Sequence, residues 1–577
     1  MNLFSKLTSG LERKFKVYTA LSPLAMLGEV LMETTIPLVM AQIVDVGIGS
    51  KDIGFVLRLG GIMVGMALFS LFCGSSCGRL SSLAAFGFSR NLRRKLFRRV
   101  QSFSFSNMDK FGTGSLVTRL TTDVTNVQNL YQNLIRTAIR APLMLTFGTV
   151  MAFQLNSKLA CVFLVAIPFL AFVLSLIASK AYPRFSEMFK KYDALNTVVQ
   201  ENLIAIRVVK SFVRGEFECE KFDSIADDLR KTQVSAEKIV ILNQPIMQLV
   251  VYSCIISVLW FGGNMILSGD MLMGELISFL TYINQILMSL MMLSMIFVQF
   301  ILSRASVTRI NQVLDEESEI KDALEPKGKD ASGFDIEFDH VSFSYNNDLG
   351  NCVLSDICLS IKQGATVGVI GGTGSSKSTL VQLIPRLYDA TSGSVRIGGV
   401  DVRDWKLEDL RGKIALVLQK SLLFSGTIAE NLRWGNKNAS LEEIIESCKA
   451  SDAHSFVSSF PDGYDTVLGQ GGVNLSGGQK QRLCIARALL KKPDILILDD
   501  STSAVDTATD LRIRNALKKS LPSSTKIIIA QRIASVQDAD SIIVMDDGKI
   551  DGIGTHENLL ETNKIYREVY ESQMSEN

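Results

Sequence analysis

The chain has 577 residues, 47% of them apolar, and a formal net charge of only +2; its mean hydropathy is +0.24. The length allows two or more domains, and the hydropathy is too high for a wholly soluble chain. The near-neutral balance supplies no electrostatic footprint for nucleic acid, and nine scattered cysteines argue for a reducing compartment rather than a disulfide framework.

The N-terminus mixes Lys6, Glu12, Arg13, Lys14 and Lys16 before any long apolar stretch, unlike a cleavable signal. Charge-free runs then occupy 59–78, 141–157, 159–179, 239–269 and 276–303. A further apolar span, about 17–48, is interrupted by Glu29, Glu33 and Asp45. A membrane helix needs about 20 mostly apolar residues, so six spans are predicted. Pro23, Pro37, Pro142, Pro168 and Pro245 are tolerable there if neighbouring helices satisfy the freed backbone groups. Cys73 and Cys77 lie four apart with no Cys or His nearby and read as packing residues rather than metal ligands.

Basic residues cluster at Arg90–Arg99 and across 180–238, whereas the links near 49–53, 154–158 and 268–274 are short and nearly uncharged. The basic side is therefore predicted to be cytoplasmic, and six spans return both termini to it. The basic run reads as a topology determinant before a lipid-recognition patch. The segments 86–136 and 180–238 look helical, which carries spans two to five beyond the bilayer. Glu29 and Glu33 are one turn apart on one helix face. Either they attract a cationic substrate, or they pair with a partner helix or lie near an interface. Met288, Met291, Met292 and Met295 suit an adaptable binding surface, although lipid-facing packing is the favoured reading.

Residues 1–312 are thus the expected transmembrane domain and 313–332, charged and containing Pro326 and Gly328, the linker. From 333 to 577 short apolar runs alternate with amphipathic stretches, the pattern of an α/β domain. No internal repeat is visible. Val367–Ile370 is a buried-strand candidate. Gly371, Gly372, Thr373, Gly374, Ser375, Ser376, Lys377, Ser378 and Thr379 follow it, then the apolar start of a helix. Strand, glycine loop and helix are the context of a phosphate loop, whose backbone N–H groups hold phosphate oxygens. Lys377 is expected to reach the outer phosphates and the Ser378 hydroxyl to bind Mg²⁺. The strict pattern has glycine where Ser376 stands; a left-handed backbone there would cost a serine about 1–2 kcal/mol. Ile495–Asp499 is an apolar strand ending in a carboxylate suited to holding Mg²⁺ through water. Between these motifs, Leu475, Ser476, Gly477, Gly478 and Gln479 precede the helical run 480–490 and form a second candidate phosphate binder.

The three motifs in this order resemble the ATP-binding cassette (ABC) family. Six spans ahead of one cassette resemble an exporter half-transporter of multidrug or lipid type. The resemblance implies an α-helical six-span domain followed by an α/β P-loop cassette, ATP and Mg²⁺ as ligands, and ATP-driven export across a cell membrane. It implies that Tyr345 stacks on adenine, that Gln419 joins Mg²⁺ and the attacking water to the membrane domain, and that Ser503–Asp506 crosses a dimer interface. Gly112-Thr113-Gly114 and the Glu201–Phe212 region match the two cytoplasmic coupling helices. The chain departs from the family at the catalytic positions: Asp500 stands for glutamate and Gln531 for histidine. Gln470 replaces a common glutamate. None of His340, His454 and His556 follows the strand 526–530, and His556 reads as structural. The expectation is a heterodimer, in which this chain's site is degenerate and its signature motif closes a partner's competent site. The substrate is expected to be an unidentified small or lipid-like molecule, amphipathic or drug-like, moved out of the cytoplasm, and the lipid bilayer is the other expected partner. An ATP-gated channel or regulatory membrane protein is the alternative, and an importer is disfavoured by the fusion of spans and cassette.

Overall fold

The apolar runs of the first half fold into long helices. The computed structural model describes residues 3–328, 331–345, 348 and 350–575; Lys329 and Asp330 of the expected linker lie outside them. Among the described residues, six helices are long and apolar enough to cross a membrane: Arg13–Ile48, Ile53–Gln101, Thr113–Leu155, Ser157–Ile204, Gly215–Leu267 and Met273–Asp315. The second has 49 residues. At 1.5 Å per residue it rises about 70 Å, over twice the ~30 Å hydrocarbon core. The helix therefore continues past the bilayer, as the sequence predicts. The sixth helix ends at Asp315, three residues into the stretch expected to be linker.

Two units of internal contact make up the chain: Met1–Gln101 with Thr113–Glu316, and Ser102–Gly112 with Glu317–Asn577. The first is helical. Pro37 lies inside its first helix and has no N–H to give to the carbonyl of Glu33, four residues back. That carbonyl accepts instead from Gln285 Nε2 at 3.2 Å. Tyr282 Oη donates to the Thr34 carbonyl at 2.6 Å, and Ser278 Oγ bonds the carbonyl of Pro37 itself. Ser278, Tyr282 and Gln285 are spaced to share one face of the sixth helix. The sixth helix thus supplies the donor that Pro37 takes from the first helix, and two hydroxyls besides.

A second polar cluster joins the third and sixth helices. Asp123 is fully buried and accepts from Ser306 Oγ at 2.8 Å and Arg309 Nε at 2.8 Å, while Arg119 donates to the Arg309 carbonyl at 3.1 Å.

The second unit holds two larger sheets. One has six strands in the order Lys549–Gly554, Ser541–Asp546, Thr366–Gly371, Thr525–Ile529, Ile495–Asp499, Ile414–Val417. All neighbours are parallel except the first pair. Strands Ile495–Asp499 and Thr525–Ile529 are buried along their whole length, which is why Ile495–Leu498 and Ile527–Ile529 read as unbroken apolar runs. The other sheet is antiparallel, in the order Leu354–Ile361, Ile336–Phe343, Ser392–Ile397, Val400–Asp401. The parallel strands deliver their carboxyl ends to one edge, where ligands of open α/β sheets bind. The fold is therefore a six-span helical domain followed by an α/β nucleotide-binding domain.

The short helix Phe105–Phe111 belongs to this second unit. Tyr388 Oη donates to Asp109 Oδ2 at 2.8 Å, and Asn107 Nδ2 to the Glu317 carbonyl at 3.1 Å. Gly112, with φ of 71°, caps this helix, and the sequence match at Gly112-Thr113-Gly114 falls on that cap and the first two residues of the next helix, Thr113–Thr118. The second match contains the short helix Ile206–Ser211.

The Asp123 cluster predicts an asymmetric loss of stability. Arg309→Ala strands a buried carboxylate and is expected to cost about 3 kcal/mol. Asp123→Ala leaves a half-exposed guanidinium that water can solvate, so it costs less. Thermal unfolding of the detergent-solubilised variants checks this; equal losses would contradict it.

Candidate nucleotide site

The phosphate loop leaves strand Thr366–Gly371 and enters helix Lys377–Leu383. A Cβ at Gly371 would stand 2.2 Å from the Met545 carbonyl oxygen, so the first loop position accepts no side chain. Gly374 has φ of +88° and supplies the turn. Ser376 has φ 69° and ψ 22°, left-handed, and its side chain makes no cap bond. The strain foreseen at this position is present, at about 1–2 kcal/mol. Gly372, Thr373 and Gly374 are exposed, whereas Ser375 and Thr379 are buried. Ser375 Oγ donates to the Gly372 carbonyl at 2.8 Å. Lys377 Nζ reaches the Gly371 and Gly372 carbonyls at 2.9 and 2.7 Å and Ser375 Oγ at 3.1 Å. Burial lowers the Lys377 ammonium's pKa, against the opposing pull of Asp500 and Asp499.

Ser378 Oγ donates to Asp499 Oδ1 at 2.9 Å. An alcohol beside a carboxylate is an all-oxygen set that suits a hard divalent cation such as Mg²⁺. Next to it, the Asp500 carboxylate draws in both remaining polar candidates: Gln531 Nε2 donates to Asp500 Oδ2 at 2.8 Å and Gln419 Nε2 to the same oxygen at 3.4 Å. Burial raises the pKa of both carboxyls; Ser378 opposes this at Asp499, and Gln419 and Gln531 oppose it at Asp500. Asp500 also has a positive φ, 46°.

Tyr345 is 47% exposed, and its hydroxyl meets Thr379 Oγ1 at 3.0 Å. Its ring stands edge-on to Phe343 at 4.9 Å and to Tyr388 at 5.3 Å. The aromatic residue is thereby fixed to the phosphate-loop helix with nearly half its surface open.

The signature residues form a second, separate group. Ser476 caps helix Gly477–Leu490: Gln479 N–H donates to Ser476 Oγ at 3.4 Å, and Ser476 N–H to Gln479 Oε1 at 2.9 Å. The helix starts at Gly477, three residues earlier than the apolar pattern predicts. Gly478 has no room for a Cβ, which would lie 2.7 Å from the Ala504 carbonyl oxygen. Gln481, buried, explains that closeness. Its Nε2 donates to Ser503 Oγ at 3.2 Å, and its Oε1 accepts from Ala504 N–H at 3.0 Å. It thus fastens the Ser503–Asp506 loop to the signature helix. Sequence reading passes over Gln481, because a helical glutamine 22 residues from its partner has no local signature. Asp506 caps the next helix, accepting from Thr509 N–H at 2.9 Å. Gln470 begins a short 3₁₀ turn, and His556 bonds Tyr566 Oη at 2.8 Å.

In the membrane unit, Glu29 and Glu33 pair with one residue of the third helix, Arg140. Pairing with a partner helix, one of the two readings left open, is what the fold adopts. Met288 and Met292 line a cavity with Glu33 and Arg140 instead of serving only as lipid-facing packing, and Met291 packs against the helical core.

The family described as ABC transporter transmembrane region matches residues 20–315, and that described as ABC transporter matches 354–503. The uncharacterized ABC transporter ATP-binding protein YfiB of Bacillus subtilis is 40% identical over 561 residues, 97% of each chain. The probable multidrug resistance ABC transporter ATP-binding/permease protein YheI of the same organism is 34% identical over 483 residues, 84% of this chain and 82% of that one. Among solved structures, a bacterial Atm1-family ABC exporter with ATP bound superposes with a TM-score of 0.83 at 25% identity, over 98% of this chain and 99% of the other. The chain belongs to the ABC transporter family, as a half-transporter of exporter type with one membrane domain and one ATP-binding cassette.

Proposed function

We propose that this chain is the degenerate-site subunit of a heterodimeric, ATP-driven exporter of a small or lipid-like molecule. The observation that carries the reading is the Asp500 carboxylate, held by the amides of Gln531 and Gln419. A catalytic base needs an available lone pair aimed at water. Here one oxygen accepts from two amides, and the side chain is a methylene shorter than glutamate. A misplacement of about 1 Å costs on the order of 10²-fold in rate. Gln531 can donate to a γ-phosphate oxygen but neither takes up a proton nor carries positive charge.

Binding functions are kept. The loop Gly371–Thr379 and Lys377 hold the phosphates, Tyr345 stacks on the adenine, and Ser378, Gln419 and Asp499, the last through water, hold Mg²⁺. That ion would neutralise charge on the β- and γ-phosphate oxygens. The signature residues Ser476, Gly477, Gly478 and Gln479 close over the ATP of a second half-transporter that carries the glutamate and histidine this chain lacks. Both termini and the cassette lie in the cytoplasm, on the side of the basic run Arg90–Arg99, and the cell membrane houses the spans.

Two outcomes test this on the assembled transporter. Ser476→Ala is expected to lower ATPase activity by about 10²-fold, the worth of a positioned donor at a phosphate. Asp500→Asn is expected to lower it less than about threefold, because little chemistry depends on it. Brisk hydrolysis and transport by the purified chain alone would refute the heterodimer. In addition, Gln481→Leu strips partners from Ser503 and Ala504, worth about 1–3 kcal/mol. It should reduce ATPase activity about tenfold while nucleotide trapping at this chain's own loop stays unchanged. Loss of trapping would make Gln481 a general folding residue.

A further inference from the structure

Two adjacent strands of the cassette's antiparallel sheet each hold a residue other than glycine in a left-handed backbone. His340, on Ile336–Phe343, has φ of 49°, and Asp356, on Leu354–Ile361, has φ of 52°. That conformation is uncommon and costly for a residue with a side chain. Strain of this kind concentrates at sites that bind something.

The register shows what the strain achieves. Phe338 lies opposite Leu359, Val341 opposite Ile357 and Phe343 opposite Leu354. Asp339 and His340 therefore face Cys358 alone, and Ser355 and Asp356 face Ser342 alone, so each strand carries a bulge. Side chains alternate along a strand, and Ile336 and Phe338 are buried. Without the first bulge, His340 would follow them into the core. The bulge turns it to the open face of the sheet, where Asp356 and Cys358 are also exposed.

Three ligating atoms converge there. His340 Nδ1 is 2.7 Å from Asp356 Oδ1 and 3.5 Å from Cys358 Sγ, and the three atoms all lie within 4.8 Å of one another. Among the described residues this is the one place where three groups of the His, Cys, Asp and Glu kind meet so closely. Zinc binds nitrogen at about 2.0 Å and sulfur at about 2.3 Å, which sets the two atoms about 3.5 Å apart in a tetrahedron. The nitrogen–sulfur spacing fits as it stands. The carboxylate has to draw back by about half an ångström to take its own corner, and the Asp356 side chain, 72% exposed, has the room. The neighbouring carboxylate, Asp339, is taken up by Arg396 at 3.2 Å. A thiolate and an imidazole in the set favour a borderline-soft ion over Mg²⁺ or Ca²⁺, which prefer oxygen throughout.

We propose that His340, Asp356 and Cys358 bind a divalent transition ion of the zinc type, with water as the fourth ligand. The His340 imidazole binds through Nδ1 and carries its proton on Nε2. The Cys358 S–H bond breaks as the sulfur–metal bond forms, and the proton leaves to solvent. Thiolate and carboxylate then cancel the two charges of the ion. The ion ties the two strands together at their bulges. None of the three residues belongs to the nucleotide site, so this ion is distinct from the Mg²⁺ that accompanies ATP.

Cobalt(II) stands in for zinc and reports sulfur ligation by colour. The full chain in detergent, free of nucleotide and with its thiols kept reduced by a phosphine, is titrated with Co²⁺. A thiolate-to-cobalt charge-transfer band and the intense visible bands of a four-coordinate ion are expected. Zn²⁺ should bleach both, and excess Mg²⁺ neither. Cys358→Ser should abolish the charge-transfer band, while Cys161→Ser and Cys219→Ser, at other exposed cysteines, should leave it unchanged. His340→Asn and Asp356→Asn should each weaken Zn²⁺ at least about tenfold, since even an outer partner of a metal ligand is worth that much. Asparagine tolerates a left-handed backbone, so both variants should fold and bind MgATP as the wild type does. Should either misfold, the charge-transfer band in Cys358→Ser decides the matter. No such band in the wild-type chain, a band that survives Cys358→Ser, bleaching by Mg²⁺, or wild-type Zn²⁺ affinity in a folded His340→Asn or Asp356→Asn would overturn the proposal.

Discussion

Strands Ile414–Val417, Ile495–Asp499 and Thr525–Ile529 lie side by side, with Val417 opposite Leu498 and Leu498 opposite Ile528. Gln419 and Asp500 each stand two residues beyond that level and Gln531 three. The register of three buried strands therefore brings two amides onto one carboxylate, without any of the three residues touching another in sequence. A slip of one residue in any strand would turn that side chain to the other face of the sheet. The apolar packing that prevents the slip comes from positions such as Leu496, Leu498 and Ile528. The chemistry at the strand ends is thus inherited from the core.

A similar dependence orders the membrane unit. Pro37 takes one hydrogen bond out of the first helix, and Gln285 of the sixth helix replaces it. One N–H of the Gln285 amide is thereby committed to the Glu33 carbonyl. Glu33 contributes twice, by its carbonyl to Gln285 and by its carboxylate to Arg140. One proline therefore bears on how two helices are joined. Exchanging the proline for alanine would restore the helical bond and free the Gln285 donor, changing how the helices pack.

Length and periodicity made the six spans and the α/β half legible. The phosphate loop, the signature and the terminal carboxylate strand were legible because each is a contiguous run with its own local physics. The strain at Ser376 was legible too, since the strict loop pattern has glycine at that position and a serine in a left-handed backbone is strained. What could not be read is whatever depends on distant partners. Arg140 gives no sign in the sequence that it pairs with Glu29 and Glu33, more than a hundred residues earlier. Gln481 gives none that it fastens Ser503 and Ala504. The short helix Phe105–Phe111 was not read either, because Ser104 and Asn107, which cap it, look like ordinary loop residues.

Ser376 and Asp500 share a left-handed backbone, yet they bear differently on the two halves of nucleotide chemistry. Binding uses backbone N–H groups and the Lys377 ammonium. These keep their places whether or not residue 376 carries a Cβ, provided the chain bears the local cost of about 1–2 kcal/mol. Hydrolysis is less tolerant. It needs a basic atom within a fraction of an ångström of the attacking water, and the backbone at Asp500 is fixed by its bond to the Ile529 carbonyl at 3.0 Å. A shortened side chain on a fixed backbone cannot recover the missing methylene by shifting. In the proposed division of labour, the rigid strand ends preserve a nucleotide site while the shortened carboxylate does not act as glutamate would, which separates binding from turnover.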